Sequence, residues 1–425
     1  MSPDPARESR TAWYTLTLLV AVYVLNFVDR NLLAILLNSI KQDLDVSDAA
    51  MGFMTGPAFA LFYGTLGIPI ARLADRKSRR LIISVGLALW SLMTAASGMV
   101  QTFGQLVAAR IGVGVGEASA TPASHSMISD LFPPARRATA IAVYNMGASL
   151  GLFAGMALGG WLNEGLGWRT AFIVLGLPGV ILALVVRFGM PEPARGYSEG
   201  LPDSGEQPSF KEVRRYMLGR RSFRHVVAAA SLYAMPGYAM LTWAPAFIER
   251  VHGMSTAAIG WRVGVVTGIG GVIGALVGGT LADRLGRRDE RWLVWLPAIS
   301  GTLLIPFLAG FAWIGDITLA LGSLFFANLC NQVFAAPCYA VTQGLAKLRM
   351  RAMASALILL MITLVGYSGP QILGLLNDLL HPRFGDGAMR YSFVIVALFN
   401  LWGAAHSLMA ARTLRDELAE ARAGA

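Results

Sequence analysis

A chain of 425 residues that is 55% hydrophobic and only 14% charged is too apolar for an ordinary soluble globule. Its mean hydropathy of +0.56 is spread over recurring apolar runs of about twenty residues, the length that crosses a bilayer. A net charge of +10 would suit a nucleic-acid binder, but the basic residues cluster in short segments between apolar runs, as orientation signals do, and nucleic acid is excluded as a partner.

The spacing predicts helix 1 over 12–38, with Asn26, Asp29 and Arg30 inside its apolar run. No signal-peptide cleavage site follows it, so it reads as a retained spanning helix. After an acidic turn, Lys41–Asp48, helix 2 runs over 50–71 and ends in Ala71–Arg80, which contains Asp75, Arg76, Arg79 and Arg80. Helix 3 covers 81–100 and helix 4 covers 103–131. Helix 4 carries Arg110 and Glu117 among Leu, Val, Ile, Ala and Gly. Each charge near a bilayer centre costs about 2.5–3.5 kcal/mol on insertion scales, so two of them need a reason. Seven residues are close to two turns, which puts both on one face. Gly112, Gly114 and Gly116 thin the helix between them and let another backbone approach. A structural ion pair and a proton or substrate site facing a watery cavity both fit this pattern. Thr121 and His125 extend the Glu117 ridge unless Pro122 kinks it.

A Pro-Pro break with Arg136 and Arg137 precedes helix 5 over 138–162, whose Gly147, Gly151, Gly155 and Gly159 form a close-packing face. Gly167 opens helix 6, which ends near Met190. Residues 191–222 are rich in Pro, Gly and Arg and form a linker, with room for a short helix on the membrane surface. Six more spanning segments follow at 223–249, 257–282, 292–313, 317–345, 352–379 and 389–412, then a short charged tail. The reading is an all-α membrane protein of twelve transmembrane helices: a bundle over 1–190, a cytoplasmic linker over 191–222, and a second bundle over 223–425. With the amino terminus cytoplasmic, about 26 of the 35 Lys and Arg lie in cytoplasmic loops and tails, which places both termini inside.

The halves repeat. Leu73–Arg80 returns as Leu281–Arg288, which brings Asp283, Arg284 and Arg287; Arg137–Ala140 returns as Arg351–Ala354; Arg169–Phe172 returns as Arg390–Phe393. The offsets of 208, 214 and 221 residues keep step with a second bundle. Two similar bundles enclose a cavity, as alternating-access carriers do. The alternating glycines of helix 4 lack the strand–turn–helix setting of a dinucleotide loop, and there is no P-loop, metal cluster or nucleophile elbow. No enzyme activity and no cofactor are expected. Cys330 and Cys338 lie about 12 Å apart along one predicted helix, too far for a disulfide.

These residues resemble the major facilitator superfamily over nearly the whole chain: the loop after helix 2, its echo after helix 8, and Arg110–Gly116 in helix 4. A narrower resemblance is to the Spinster family, through Asn26-Phe27-Val28-Asp29-Arg30, Gly116-Glu117-Ala118-Ser119 and Asp130-Leu131-Phe132-Pro133. It implies a carrier for amphipathic lipids such as sphingosine-1-phosphate and lysophospholipids, with proton coupling at the helix 4 glutamate. The organic anion:cation symporters share the helix 1 pattern and a Glu-Ala pair, but Gly normally follows that pair where Ser119 stands here. A carrier of small carboxylates, or a non-coupled scramblase or receptor, is the alternative.

On this reading Glu117 and Asp29 handle the proton. Arg30, Arg110, Asn26, Asn328 and Asn331 meet an anionic substrate. Asp75, Arg76, Arg79, Arg80, Arg136, Arg137, Asp283, Arg284 and Arg287 form a cytoplasmic gate. Helix-to-helix hydrogen bonding accounts for Asn328 and Asn331 equally well, and hydrogen-bonded packing accounts for His125. Depth arithmetic at about 1.5 Å per residue puts Arg110 nearer Asp29 than Glu117 is. The partners are the substrate lipid or amphipathic anion, protons and the membrane lipids. The protein is expected to be a monomer in a bacterial inner membrane.

Overall fold

The computed structural model describes residues 5–193 and 209–423, with the backbone alone at 5–9, 67–68, 71–76, 134–135, 138, 348 and 352. Among the described residues every regular element is helical. Eight segments of the described residues are long and apolar enough to cross a membrane, and two of these, of 51 and 58 residues, are long enough to cross twice. Large apolar side chains face outward along them, including Phe188 at 77% and Leu379 at 74% exposure, which only a lipid surrounding makes favourable.

The helices are α1 (Pro5–Leu44), α2 (Asp48–Thr55), α3 (Pro57–Arg76), α4 (Arg79–Ser97), α5 (Phe103–Glu117), α6 (Ala120–Leu131), α7 (Pro134–Gly189), α8 (Phe210–Gly219), α9 (Arg221–His252), α10 (Thr256–Gly286), α11 (Trp292–Trp313), α12 (Ile317–Gln332), α13 (Ala335–Leu345), α14 (Arg351–Gly366), α15 (Ser368–Phe384), α16 (Ala388–Ala397), α17 (Phe399–Ala410) and α18 (Leu414–Ala423). The α7 run is two crossings joined at Gly167, whose φ of 79° only glycine adopts readily. Four further crossings are interrupted helices: α2 with α3, α5 with α6, α12 with α13, and α14 with α15. With α16 and α17 forming one crossing, the total is twelve.

Two compact units emerge. The first holds residues 1–46, 58–204 and 254–264; the second holds 47–57, 205–253 and 265–425. Each thus keeps a short piece of chain, 254–264 or 47–57, that the sequence reading gave to the other bundle.

In the first unit Leu16, Leu19, Ile83, Leu87, Trp90, Val113 and Met127 form the core. The helix 5 glycines seat α7 on α1. A Cβ on Gly151 would stand 2.3 Å from the Val24 carbonyl oxygen, and one on Gly155 would stand 2.6 Å from that of Val28. Gly104 has open space at the same position. Gly151→Val is therefore expected to cost about 3 kcal/mol by forcing backbones apart, while Gly104→Ala stays within about 0.5 kcal/mol. Thermal melting in detergent reads the difference, and equal stability of the two variants would refute close packing at Gly151.

In the second unit the core gathers Phe223, Val226, Tyr233, Val341 and Ile358. The linker does contain a short helix, α8, but its apolar side is not spread on lipid. Val213 and Met217 are buried in this core. The charged tail is likewise ordered as α18, which inserts Leu414 and Leu418. Arg220 pairs with Glu420, Arg415 with Asp289, and Arg422 with Glu290, and the Glu417 carboxylate accepts from the Arg221 and Ser222 N–H groups at the start of α9. The Arg291 hydrogen bond, with help from Arg415, holds the Asp289 carboxyl well below the usual carboxylate range.

Candidate functional site

The first unit concentrates its buried charge where α1, α4 and α5 meet. Asp29 is 4% exposed and Arg110 2%. Arg110 Nη1 donates to Asp29 Oδ1 at 2.9 Å, and the Thr94 hydroxyl on α4 donates to Asp29 Oδ2 at 2.7 Å. The depth arithmetic anticipates this contact. Both carboxylate oxygens accept a hydrogen bond and both side chains are nearly buried, while Arg110 Nε is buried with no partner among the described residues.

Glu117 pairs differently. Its Oε2 accepts from Arg30 Nε at 2.6 Å, and its Oε1 is buried without a hydrogen bond among the described residues. The Glu117 side chain is fully buried, whereas that of Arg30 is 19% exposed. The Arg30 guanidinium lies 4.5 Å from the Tyr63 ring centre, 5.1 Å from Phe59 and 5.4 Å from Phe27. Aromatic faces favour a cation while leaving its in-plane donors to other partners. Arg110 is thus enclosed and Arg30 partly exposed, a difference the sequence left open.

Glu117 is also the last residue of α5. The chain breaks at Ala118–Ser119 before α6, where the Ser119 hydroxyl turns back to the Gly116 carbonyl at 2.7 Å. Pro122 has no N–H to bond the Ala118 carbonyl, which suits a break at that point. Both residues at the break keep right-handed helical dihedrals, and beyond it the His125 ring sits edge-on to Tyr144 at 5.4 Å. The helix 4 glycines admit α4: a Cβ on Gly116 would come within 2.8 Å of the Gly86 carbonyl oxygen and the Trp90 nitrogen. Asn26, one turn before Arg30, is buried with its Oδ1 unpaired among the described residues.

In the second unit Asn328 donates to the Thr267 carbonyl at 2.7 Å and Asn331 to the Tyr233 carbonyl at 3.0 Å. Both amides tie helices together through one N–H each, the packing role that the sequence offered beside substrate contact. The repeat makes the contrast sharper. The 208-residue offset carries Asp29 and Arg30 onto Gly237 and Tyr238, and the 214-residue offset carries Glu117 onto Asn331. A Cβ on Gly237 would stand 2.2 Å from Asn331 Oδ1, so the same corner is built in both units but is charged only in the first.

Of the residues read as a gate, Arg79 is the hub. It is 1% exposed and bonds Asp130, Glu192, the Ser126 hydroxyl and the Pro193 carbonyl. Burial alone would raise the Glu192 carboxyl, but donors from Ser78, Arg79 and Arg80 outweigh it and hold the group below the usual range. Arg80 reaches the Met190 carbonyl, Arg137 the Ser129 carbonyl, and Arg136 is exposed. The side chains of Asp75 and Arg76 lie outside the described residues. Asp283, Arg284 and Arg287 are exposed, and no hydrogen bond to Asp283 is found among the described residues. The anchor at that end of the second unit is Asp289. Its partner Arg415 belongs to α18, which the repeat did not point to.

Twelve crossings, a repeated half and a charged cluster inside an apolar bundle define an integral membrane transporter rather than an enzyme. A model of the Major Facilitator Superfamily matches residues 19–370, and the chain belongs to that family. An MFS-type efflux pump of Mycolicibacterium smegmatis is 36% identical over 419 residues, spanning 97% of this chain and 96% of that protein. The crystal structure of a bacterial homologue of the human lysosomal transporter Spinster, inward-facing and unoccupied, superposes with a TM-score of 0.88 at 29% identity, covering 96% of this chain and 98% of that one. A probable galactarate/D-glucarate transporter, GudP of Bacillus subtilis, is 28% identical over 71% of this chain and 72% of its own length.

Proposed function

We propose that the protein is a proton-coupled secondary transporter that moves an amphipathic anionic lipid, of the lysophospholipid or sphingosine-1-phosphate kind, by alternating access. The observation that carries this reading is the Arg30–Glu117 bond, which joins a partly exposed cation to a fully buried carboxylate. When Glu117 takes up a proton its hold on Arg30 weakens, and Arg30 is released toward an anionic head group. Arginine suits the task because it stays charged and offers a planar fork to phosphate or carboxylate. Asp29, tied to Arg110 and Thr94, keeps the neighbouring helices in register. Arg79 with Asp130 and Glu192, and Asp289 with Arg291 and Arg415, brace the ends that we assign to the cytoplasm, with both termini inside a bacterial inner membrane and the protein acting as a monomer.

The similarity to a sugar-acid transporter favours a second reading, in which the same arginine takes a small carboxylate and no lipid tail is involved. Uptake into proteoliposomes under an imposed pH gradient separates these readings. A lysolipid is expected to accumulate, and a sugar acid of equal charge is expected to compete about tenfold less well or worse. Equal competition by the short anion refutes the lipid reading. Equilibration without accumulation refutes coupling.

A further inference from the structure

The pieces of chain that each unit takes in are seated in the same way. In the second unit α2 lies on α15. A Cβ on Gly52 would stand 2.5 Å from the Pro370 carbonyl oxygen, one on Gly56 would stand 2.2 Å from that of Tyr367, and one on Gly374 would stand 2.3 Å from that of Asp48. The Asp378 carboxylate caps α2 by accepting from the Asp48 and Ala49 N–H groups at 3.0 and 2.7 Å. In the first unit the start of α10 lies on the middle of α7. There a Cβ on Gly260 would stand 2.1 Å from the Met156 carbonyl oxygen, one on Gly264 would stand 3.4 Å from that of Phe153, and one on Gly160 would stand 2.2 Å from that of Thr256. Glu164 caps α10 by accepting from Ala257 N–H at 3.0 Å.

The two sets are related residue by residue through the repeat. Asp48, Gly52 and Gly56 become Thr256, Gly260 and Gly264 at 208 residues on. Phe153, Met156, Gly160, Asn163 and Glu164 become Tyr367, Pro370, Gly374, Asn377 and Asp378 at 214 residues on. Even the amide is kept: Asn377 donates to Asp48 Oδ2 at 2.9 Å and Asn163 to the Thr256 hydroxyl at 3.3 Å. What differs is charge. Asp48 Oδ2 and Oδ1 receive both arms of Arg250 at 2.7 and 3.0 Å, with side-chain exposures of 3% and 10% for the acid and the base. In the other set a neutral threonine replaces the aspartate, and the offset puts the exposed Gln42 where Arg250 stands.

From this we infer that the two seats are a pair of latches, each fastening a helix of one sequence half into the unit built mainly from the other, and that the bidentate Asp48–Arg250 pair makes them unequal. Both must part if the halves are to exchange access. The latch without an ion pair gives up a carboxylate cap, which the other seat has as well, together with hydroxyl and amide hydrogen bonds and glycine contacts. The charged one must also separate two nearly buried ions whose donors and acceptors match in geometry. Rupture of the charged latch therefore sets the poise between access states. The inference rests on the carrier reading above, but it is tested without substrate or gradient.

Thr55 is buried on α2 at 8% exposure, so a cysteine placed there reports on the seat. The native Cys330 and Cys338 are buried, and the parent protein gives the background. In detergent, a water-soluble maleimide is expected to label Thr55→Cys about tenfold faster when combined with Asp48→Asn. The charge-swapped pair Asp48→Arg with Arg250→Asp should return the rate to within about twofold of the parent. A cysteine at Ala257, with Asn163→Ala as the lesion in the latch without an ion pair, should gain less than about threefold. An unchanged rate in Asp48→Asn overturns the latch. Gains of equal size at the two seats overturn the inequality. Melting curves identify a variant that merely unfolds, and in that case the charge-swapped pair, which keeps the salt bridge, decides: a raised labelling rate in a folded swap also overturns the inference. Absence of transport by the parent protein, with these labelling differences intact, speaks against the carrier reading and leaves the latch standing.

Discussion

Glu117→Gln is expected to abolish accumulation driven by a pH gradient while leaving substrate exchange across the membrane measurable. One proton moving down one pH unit carries about 1.4 kcal/mol, which supports at most about a tenfold concentration ratio for each coupled proton. The wild-type protein should approach that ratio in tight proteoliposomes, and the variant should stop at one. Glutamine keeps the length of the side chain and an oxygen to accept from Arg30 Nε, so the helix packing around it is preserved. What it loses is the ability to change charge. The fully buried Glu117 side chain sits against the partly exposed Arg30, so its protonation alters the pull on a cation that solvent can reach. A variant that still accumulates substrate in proportion to the gradient shows that the coupled proton binds elsewhere and that the Arg30–Glu117 bond is structural.

The parts of this site that the sequence disclosed are those that follow from helical geometry and repetition. Asp29 and Arg110 meet because two antiparallel spanning helices of known rise bring those positions to one depth. The uncharged corner of the second unit can be read off two constant offsets. The pairing of Glu117 was not legible, since it depends on a helix break one residue later and on where α3 delivers Phe59 and Tyr63 around Arg30. No periodicity announces either. Arg79 stands out in its basic loop, yet its partners Asp130 and Glu192 come from 51 and 113 residues away. The motif pointed to Asp283, whereas the anchoring acid six residues on depends on Arg415 from a tail helix too short to leave a strong signal. The latch residues Asp48, Arg250, Asn377 and Asp378 carried no motif at all. They become visible only when both halves are laid over each other with the contacts in hand.

Arg110→Ala and Arg30→Ala are expected to fail in opposite ways. Arg110 is enclosed, and its loss leaves the Asp29 carboxylate buried with Thr94 as its donor. Removing one member of a buried ion pair costs about 3–5 kcal/mol because the other charge stays behind in an apolar setting. That corresponds to a drop of about 6–20 °C in melting temperature, at about 2–4 °C per kcal/mol for a unit of roughly 200 residues. Asp29→Asn added to Arg110→Leu should recover much of the loss, since no charge is then stranded. Arg30 is different on two counts: its side chain is partly exposed, and its partner Glu117 can shed charge by binding a proton. Arg30→Ala should therefore melt within about 3 °C of the wild type. Its deficit should appear instead as an apparent affinity for anionic lipid about tenfold weaker or worse, with little change for a zwitterionic analogue. Arg110→Lys keeps a charge but loses the guanidinium geometry toward Asp29, and it should fall between the alanine variant and the wild type in stability. If Arg30→Ala instead melts as low as Arg110→Ala and binds anionic lipid normally, both arginines are packing residues, and the head group must be met by a cation outside this cluster.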